Sequence, residues 1–419
     1  MLVGCVADDF TGASDAASFL SVNGARCLLF NEVPDTGYTL PDGYDAVVVA
    51  LKTRSTRPDT AIGQMKAAFR WLSDQGAKKL YFKYCSTFDS TRDGNIGPVL
   101  DSLLETYDLR YTTLCPALPV NKRTVYGGRL YVDGIPLEKS HMKNHPLNPM
   151  WDSYIPNLMR PQSSYPSYVL GISDLNSGNE AVKCFVDDLL EKEKRFYLAL
   201  DCLEPEHSVK LASLFADLPL NSGGSSFLGD IFHVLKPSGN LHVRSSKFRG
   251  KGLILSGSCS QATLRQVSYF QKHGGISFML EPNGLLNGTL SLDEIWSFIE
   301  AHSTDVMVYS SQEYPEVKKN QEIGGSKTSE ILEEAMAALG KRAAAAGIKN
   351  IVVAGGETSG AVTRALNCTA YEIGANIDHG VPILLPLGLS GMQLVLKSGN
   401  FGGENFFVKA LAVMKGENG

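Results

Sequence analysis

Apolar runs alternate with segments of helical periodicity along the first half of the chain. Short apolar runs that end in polar residues predict buried strands, and the segments between them predict helices. This alternation is typical of a mostly parallel sheet with helices on its faces. The predicted strands are Leu2–Ala7, Ala25–Phe30, Ala46–Leu51, Lys79–Tyr84, Thr112–Pro116 and Tyr168–Gly171. The predicted helices lie near Ala13–Val22, Thr60–Asp74, Gly97–Thr106 and Asn179–Lys192.

The same alternation restarts after Asn221–Gly250, a stretch that contains a cluster of Gly and Ser. A chain of 419 residues is too long for one hydrophobic core, so we predict two α/β domains, residues 1–240 and 241–419. Residues 120–163 break the rhythm, and such long irregular stretches are usually functional loops or lids. Further strands are predicted at Gly252–Leu255, Ile276–Leu280, Asp305–Tyr309, Asn350–Ala354, Val381–Leu385 and Gln393–Leu396, and long helices at Ser329–Ala346 and Asn405–Met414.

Composition and charge argue against some classes of binding partner. The net charge is -5 and no Lys/Arg run stands out, so a nucleic-acid partner is not expected. We expect no membrane partner either, because no apolar stretch has the length of a membrane span, and the N-terminus resembles a first strand rather than a signal peptide. The eight cysteines show no zinc-ligand spacing, and buried cysteines in a reducing cytoplasm explain them best.

The first predicted strand ends in two adjacent carboxylates, Asp8 and Asp9, followed by Thr11, Gly12 and Asp15. A strand, an acidic turn and a helix form a ligand site at the carboxyl end of a strand in open α/β sheets. Such carboxylates suit the hydroxyl groups of a polyol or a cation. Helix capping is the alternative, but it explains one of these side chains and not all of them.

Other early strands also end in polar residues, which should converge at the same edge of the sheet. One strand runs into Arg54, and the next runs from Lys83 into a segment dense in hydroxyl groups, with Asp89 as an acceptor. In the irregular stretch, Arg123 could clamp a carboxylate and His145 could act as an acid or base. An exposed surface arginine and an ordinary loop histidine are the alternatives.

Three small-residue turns between strands and helices mark the second half. They are Ser256–Ser260, Ala354–Gly360 and Lys397–Gly403. Such turns present free N–H groups and hydroxyls at a helix N-terminus, which is an arrangement that binds phosphate. The chain contains neither a P-loop motif nor the glycine fingerprint of dinucleotide-binding domains.

These segments resemble the four-carbon acid sugar kinases, a family once described as a domain of unknown function. The matching segments occur in the family's order over essentially the whole chain. They are Ala7–Asp15, Lys83–Gly97, Pro119–Tyr126, His145-Pro146, Gly257-Ser258, Gly355–Gly360 and Ser398–Gly402.

The resemblance implies an acid-sugar-binding first domain, an ATP-binding second domain and an active site in the cleft between them. It implies transfer of a phosphoryl group from ATP to the 4-hydroxyl of the sugar, with Mg²⁺ bridging the phosphates. Within the family, residues 123–150 are most similar to the 3-oxo-tetronate 4-kinases, and D-threonate or D-erythronate 4-kinases are the alternatives. By motif, Ser258, Gly355–Thr358 and Gly402 correspond to ATP contacts.

The expected site residues follow from the motifs and the resemblance together. The predicted substrate-binding residues are Asp8, Asp9, Thr11, Asp15, Arg54, Lys83, Ser90, Thr91, Asn95, Arg123 and His145. The predicted nucleotide-binding residues are Ser258, Gly355, Gly356, Glu357, Thr358, Ser359, Gly399 and Gly402. Asp89, Asp8 and Asp9 are the candidate catalytic bases, among which the sequence does not choose, and the metal ligands are unassigned.

Two other classes of protein compete with a kinase. A non-catalytic sensor of sugar acids would not need the glycine turns, and a dehydrogenase or isomerase would act on the same sugar acids. The expected partners of a kinase are a small-molecule acid sugar and ATP. A homo-oligomer is compatible with every one of these interpretations.

Overall fold

A computed structural model of the chain describes residues 1–35, 37–145, 147–237, 247–313, 316, 325 and 327–417. The chain forms two compact units, Met1–His242 and Val243–Gly419. The predicted boundary between residues 240 and 241 lies outside the described residues. Each unit is an α/β structure, as the alternation of apolar runs and helical patterns predicts.

The main sheet of unit 1 is parallel and has the order β11-β4-β1-β3-β2. Both faces are covered, so its central strands are nearly continuous apolar runs rather than alternating ones. For example, every residue of β1 and β3 is buried. The strands are β1 (Val3–Ala7), β2 (Cys27–Asn31), β3 (Ala46–Ala50), β4 (Lys79–Lys83) and β11 (Leu220–Gly223).

Unit 1 contains further strands outside this sheet. A parallel sheet has the order β5-β10-β9, and an antiparallel sheet has the order β6-β7-β8. The antiparallel strands lie in the segment predicted to be irregular, because Gly127 and Gly128, both at positive φ, close a hairpin there. The strands are β5 (Tyr111–Leu114), β6 (Arg123–Tyr126), β7 (Arg129–Val132), β8 (Ile135–Pro136), β9 (Ser167–Leu170) and β10 (Phe196–Leu200).

Helices connect these strands. The α-helices are α1 (Phe10–Val22), α2 (Pro58–Asp74), α3 (Ile96–Thr106), α4 (Ile155–Met159), α5 (Ile172–Asn176), α6 (Asn179–Lys192), α7 (Pro205–Phe215) and α8 (Ser225–Leu235). Short 3₁₀ turns cover Pro119–Asn121, Leu137–Lys139 and His141–Asn144.

The Gly/Ser cluster near residue 222 is not a linker. It ends β11 and begins α8, and Ser222 and Ser225 are fully buried. A Cβ on Gly223 would lie 2.3 Å from the carbonyl oxygen of Cys115. Small residues are therefore required here by close backbone packing.

The sheet of unit 2 has the order β16-β17-β18-β15-β12-β14-β13. The pairs from β18 to β13 are parallel, and β16-β17-β18 pair antiparallel. The strands are β12 (Gly252–Ser256), β13 (Ile276–Met279), β14 (Val306–Tyr309), β15 (Asn350–Ala354), β16 (Ala370–Asp378), β17 (Val381–Pro386) and β18 (Gln393–Lys397).

The helices of unit 2 pack around this sheet, and side chains such as Ile254, Val352 and Phe406 form its core. Ser260 and Ser291 cap two of these helices by accepting backbone N–H bonds. Nowhere in the described ranges is a helix long and apolar enough to cross a membrane. The helices are α9 (Gln261–Lys272), α10 (Pro282–Asn287), α11 (Leu292–Ala301), α12 (Lys327–Ala345), α13 (Gly356–Ala365) and α14 (Phe406–Lys415).

Candidate active site

The carboxyl ends of β1, β3 and β4 lie side by side in unit 1. Their register pairs Ala7 with both Ala50 and Lys83, which are the last residues of the three strands. The polar segments that follow these parallel strands therefore leave from the same edge of the sheet. The structure places the predicted polar residues after these strands together at that edge.

Arg54 is the centre of this polar cluster. Its Nε and Nη2 donate to the two carboxylate oxygens of Asp8, at 3.0 and 2.7 Å. Its Nη1 lies 2.8 Å from Asp9 Oδ2 and 4.0 Å from Asp89 Oδ2. The bidentate pair with Asp8 fixes the plane of the guanidinium. Three predicted carboxylates thus surround one predicted cation.

Burial and charge act against each other in this cluster. Burial raises the pKa of Asp8 above its usual value, and the Arg54 guanidinium opposes that rise. Burial lowers the pKa of Arg54, but Asp8 and Asp9 outweigh it and hold that pKa well above its usual value. Arg54 therefore keeps its positive charge beside these carboxylates. Lys83 supplies a second buried cation, and its ammonium donates to the carbonyl of Tyr84 at 2.8 Å.

Gly12 packs directly against the cluster. Asp9 caps α1 and accepts the N–H of Gly12 at 2.7 Å. A Cβ on Gly12 would lie 2.6 Å from Asp9 Oδ1, 3.3 Å from Lys83 Nζ and 3.6 Å from Arg54 Nη2. The close approach of Asp9 and the two cations therefore requires glycine at this position. Thr11, which precedes it, is partly exposed.

Asp89 lies in a strained turn. Phe88 and Asp89 both have positive φ, 64° and 36°, which side-chain-bearing residues rarely adopt. The fully buried Phe88 ring packs edge-on against Tyr84 at 5.4 Å between centroids. Thr87 Oγ1 donates to Asp89 Oδ1 at 2.7 Å, and the other Asp89 oxygen is the one nearest Arg54. Packing of Phe88 thus stabilises the turn that presents Asp89.

The rest of the segment after β4 is tied to its surroundings by buried polar side chains. Ser90 Oγ donates to Gln162 Oε1 at 2.7 Å. Asn95 Nδ2 donates to the carbonyl oxygens of Thr53 and Thr56 at 2.6 and 3.0 Å. Asn95 therefore joins the start of α3 to the segment that carries Arg54. Thr91 is partly exposed between them.

Asp15 and Arg123 are engaged elsewhere. Asp15 is buried in α1 and its Oδ2 accepts from Ser225 Oγ at the start of α8. Arg123 lies in β6, and its Nη1 donates to the carbonyl of Asn121. Among the described residues Arg123 has no ion pair with a carboxylate. The structure therefore leaves Arg123 outside the cluster around Arg54.

His145 ends the 3₁₀ turn His141–Asn144. Its Nδ1 accepts the backbone N–H of Asn148 at 3.0 Å, so a neutral ring carries its proton on Nε2. Asn148 in turn donates to Ser55 Oγ at 3.3 Å, beside Arg54 in sequence. This bond ties the His145 loop to the Arg54 segment. Pro146, the other residue of this motif, lies outside the described residues.

The predicted turns of unit 2 also meet at one edge. Register pairs Ala354 with Ser256 and with Lys397, the last residues of β15, β12 and β18. Close packing requires glycine at two positions in these turns. A Cβ on Gly257 would lie 2.2 Å from Thr358 Oγ1, and a Cβ on Gly399 would lie 2.7 Å from Ser258 Oγ. The turns that follow the three strands therefore touch one another.

A cavity of about 410 Å³ opens over these turns within unit 2. Its volume lies in the range of small-molecule sites, roughly 300–1,000 Å³. Gly355 has a φ of 124°, and no atom lies within 4 Å of the Cβ position of Gly356, at the start of α13. The floor is the N-terminus of a ten-residue helix, which favours an anion. The turn residues that line it are Gly257, Ser258, Cys259, Gly355, Gly356, Glu357 and Thr358.

The other predicted nucleotide-binding residues, Ser359, Gly399 and Gly402, do not line the cavity. Ser359 is buried in the first turn of α13, and its hydroxyl has no hydrogen-bond partner among the described residues. The carbonyl of Gly399 accepts from Thr263 Oγ1 at 3.0 Å. Gly402 has a φ of 84°, and a Cβ there would meet the Phe406 ring at 2.4 Å. Gly399 and Gly402 therefore shape the turn after β18.

The donor set of the cavity fits a nucleotide phosphate. Backbone N–H groups at the start of α13, the hydroxyls of Ser258 and Thr358, and the open space at Gly356 suit a phosphate group. Within the described ranges, no group of three or more His, Cys, Asp or Glu side chains is arranged to hold a metal ion. A metal here would take most of its ligands from phosphate and water, which is common for Mg²⁺.

Two family models match the chain in the same order as the two units. A sugar-binding N-terminal domain matches residues 3–231, and a nucleotide-binding C-terminal domain matches residues 253–407. A 3-oxo-tetronate kinase of Salmonella typhimurium is 40% identical, covering 97% of this chain and 98% of the relative. One from Pseudomonas fluorescens is 37% identical, covering 99% and 97%. The chain belongs to the four-carbon acid sugar kinase family.

A solved structure from this family has the same fold. It is that of a Haemophilus influenzae protein of the DUF1537 family, with a TM-score of 0.84 and 36% identity, and the match covers 98% of this chain and all of that one. The resemblance that the sequence motifs predict is therefore confirmed along the whole chain.

Lys397 and Gln266 are site-forming residues of this family member that the sequence analysis missed. Lys397 is 1% exposed, and its ammonium donates to Thr263 Oγ1 and to the carbonyls of Ser398 and Gly399 at 2.8–3.0 Å. Gln266 Nε2 lies 2.9–3.0 Å from the carbonyls of residues 401–403. Together they hold the turn after β18 against α9. The sequence feature that could have identified Lys397 is a lysine at the end of the apolar run of β18.

Gln162 and Asp201 were also missed in unit 1. Gln162 accepts from Ser90, as described above. Asp201, 1% exposed, accepts the N–H groups of Gly127 and Gly128 at 2.7 and 2.8 Å and thereby fixes the hairpin that follows Arg123. Burial raises the pKa of Asp201, and these backbone bonds oppose the rise. Neither residue lies in a motif, so only the fold reveals what each one contacts.

Proposed function

We propose that this protein transfers the γ-phosphoryl group of ATP to the 4-hydroxyl of a 3-oxo-tetronate. The observation that carries the proposal is the cavity at the glycine turn of α13, in a chain that aligns over nearly its full length with relatives named 3-oxo-tetronate kinase. Phosphoryl transfer depends mainly on positioning and on stabilising charge, which fixed carboxylates, cations and backbone N–H groups supply.

The acid sugar binds in unit 1 at the cluster around Arg54. Asp8 and Asp9 are held by Arg54, so their remaining lone pairs are fixed acceptors for hydroxyl groups of the sugar. Lys83, whose ammonium lies 3.3 Å from the Cβ position of Gly12, attracts the substrate carboxylate. Arg123 is a further candidate partner for that carboxylate, because a guanidinium can bind a carboxylate through two hydrogen bonds.

Asp89 is the carboxylate best placed to accept the proton of the attacking hydroxyl. Both oxygens of Asp8 are occupied by Arg54, and Asp9 both caps α1 and pairs with Arg54. Asp89 Oδ2 lies farther from the guanidinium, at 4.0 Å, and Thr87 donates to the other oxygen, which leaves Oδ2 to meet the attacking hydroxyl. We therefore assign the base to Asp89 and positioning to Asp8 and Asp9.

The triphosphate binds at the turns of unit 2, where Ser258, Gly356 and Thr358 offer donors. Mg²⁺ would neutralise charge on the phosphates, and Glu357, an exposed carboxylate in the first turn of α13, is the side chain we propose as its protein contact. The helix N-terminus and the hydroxyls orient the phosphates independently of the metal.

The test is ADP release by the full chain with ATP and Mg²⁺. The substrates are a 3-oxo-tetronate, D-threonate, D-erythronate and L-threonate. We expect turnover on the 3-oxo-tetronate alone. Turnover on a threonate or erythronate would support the kinase activity and show that the substrate is a different acid. These acids differ by a single hydroxyl or carbonyl group. Absence of turnover together with absence of ATP binding would overturn the proposal.

A further inference from the structure

One wall of the cavity in unit 2 is chemically different from the glycine turns. It consists of one face of α12, with Pro282 beside it. The side chains of this face recur at intervals of about four residues, which places them on one stripe of the helix. They are Thr328, Ser329, Leu332, Glu333 and Met336.

Beyond its first turn, which carries Thr328 and Ser329, this wall lacks the features of a phosphate site. The glycine turns and the N–H groups at the start of α13 supply the anion-binding groups described above. Leu332 is the partly exposed apolar side chain of this wall, while Met336 and Pro282 are buried, and such a surface suits the flat face of a base. Glu333 presents a negative charge, which would repel phosphate. A bound nucleotide therefore places its nucleoside against α12.

Glu333 is the carboxylate of this stripe. Burial raises its pKa, the nearby carboxylates of Glu357 and Glu330 raise it further, and Arg364 opposes the rise. Among the residues described on either side of the 314–326 stretch, its carboxylate has no hydrogen-bond donor. Hydrogen bonds from neutral donors would stabilise the charged form of such a carboxylate. A ribose offers two adjacent hydroxyls that can donate to the two carboxylate oxygens.

We propose that Glu333 binds the 2′- and 3′-hydroxyls of the nucleotide ribose and so makes unit 2 specific for ribonucleotides. This inference rests on the proposed function, because it assigns a part of the same nucleotide site. It makes Glu333 a specificity-determining residue outside the glycine turns and outside the motifs that the sequence analysis used.

The test measures dissociation constants of ATP, 2′-deoxy-ATP and 3′-deoxy-ATP for the full chain by isothermal titration calorimetry. A hydrogen bond to a charged group corresponds to a factor of about ten or more in affinity. We expect each deoxy analogue to bind the wild type at least about tenfold more weakly than ATP. Glu333→Ala should weaken the binding of ATP to the level of the deoxy analogues. The three ligands should then bind this variant with equal affinity.

Glu334→Ala is the matched control. Glu334 is the next residue on α12, is exposed and does not line the cavity, so this variant should discriminate like the wild type. Thermal unfolding without nucleotide verifies that both variants fold. Equal binding of ATP and the deoxy analogues by the wild type, or discrimination that survives in Glu333→Ala, would overturn the inference.

Further outcomes separate this inference from the proposed function. The wild type could discriminate between ATP and the deoxy analogues without Mg²⁺ but not with it. This result would make Glu333 a metal contact and would also overturn the ribose assignment. Failure of the wild type to bind ATP at all would refute the proposed function itself. ATP binding without ribose discrimination would leave the kinase proposal standing and remove only the role of Glu333.

Discussion

At the scale of single residues, the arrangement around Arg54 separates carboxylates that look alike in sequence. Asp8 gives both oxygens to Arg54, and Asp9 is shared between Arg54 and the N-terminus of α1. Asp89 is held by Thr87 in a left-handed turn and lies farther from the cation. We therefore expect distance and hydrogen-bond partners to decide which carboxylate positions the substrate and which one acts as the base.

Asp89→Asn should lower kcat by about two to four orders of magnitude, the usual contribution of a general base. The amide keeps the shape and still accepts from Thr87, but it cannot take the proton of the attacking hydroxyl. The affinity for ATP, measured by calorimetry, should stay within about twofold of the wild type, because Asp89 lies in unit 1.

Asp93→Asn is the matched control for this variant. Asp93 lies in the same segment but is exposed to solvent, so its replacement should leave kcat unchanged. If Asp89→Asn turned over at the wild-type rate, Asp89 would be removed from the mechanism, and Asp9 would become the next candidate.

Lys397 gives a second prediction at this scale, on stability. Burial lowers the pKa of Lys397 to about 7, against about 10.4 in an unfolded chain. Below about pH 7 both states hold the proton, and the folded protein bears the cost of a buried charge. Between about pH 7 and pH 10 only the unfolded chain keeps it, so the free energy of unfolding should rise with pH, by at most roughly 1.4 kcal/mol per pH unit.

Lys397→Met removes this titration while filling similar space. Urea unfolding of wild type and variant across that pH range, with unit 2 followed by hydrogen exchange, measures the difference between them. We expect the stability of the wild type relative to the variant to increase with pH. Parallel pH curves would show that Lys397 keeps an ordinary pKa in the folded protein.

At the scale of elements, the glycine turn before α13 combines a strand end, a positive φ and a helix N-terminus. Gly356→Ala should affect stability and binding in opposite directions. Its Cβ meets no atom within 4 Å, so the folded chain should be unchanged or stabilised by about 0.5–1 kcal/mol. The added methyl group projects into the cavity, and the affinity for ATP should fall by about tenfold or more.

Gly360→Ala separates the two effects. It lies in the same helix but does not line the cavity, and its Cβ would approach only the flexible end of Arg364. Thermal unfolding should show a similar or higher stability, and calorimetry should show unchanged ATP affinity. Equal ATP affinity in Gly356→Ala and the wild type would mean that phosphate does not approach this turn.

Some elements could not be predicted from periodicity. The hairpin β6-β7 depends on Asp201, which lies 73 residues along the chain from Gly128 and accepts its N–H. The strand β11 contains Asn221, Ser222 and Gly223, which are polar or small and resemble a linker. They are buried because β11 pairs with β4 and packs beside Cys115. Long-range pairing overrides local composition in both cases.

At the scale of the whole molecule, each unit has its own ligand chemistry. Hydrogen-exchange mass spectrometry can assign the ligands without turnover. ATP with Mg²⁺ should slow exchange at residues 257–260 and 355–359 of unit 2, because a ligand that binds only the folded state suppresses local opening. A 3-oxo-tetronate should instead slow exchange at residues 9–12 and 86–97 of unit 1. Protection of unit 2 by the acid sugar alone would contradict this division.

Local features of the amino-acid sequence predict much of this protein. Apolar runs that end in polar residues predict the strands and the edge where Asp8, Arg54 and Lys83 meet, because parallel strands share their carboxyl ends. Glycines after β12 and β15 predict the phosphate-binding turns, because only glycine allows the close approach seen at Gly257. Each of these signals lies within a few neighbouring residues, so the sequence alone is enough to identify it.

The tertiary structure alone decides which side chains meet across long separations. Arg54 contacts Asp8 across 46 residues, and Lys397 contacts Thr263 across 134. It also decides that α12, whose face has no motif, forms a wall of the cavity in unit 2. The physical reason is that partner choice, burial and pKa depend on distances in space, whereas the sequence records only which groups are available and what local structure they favour.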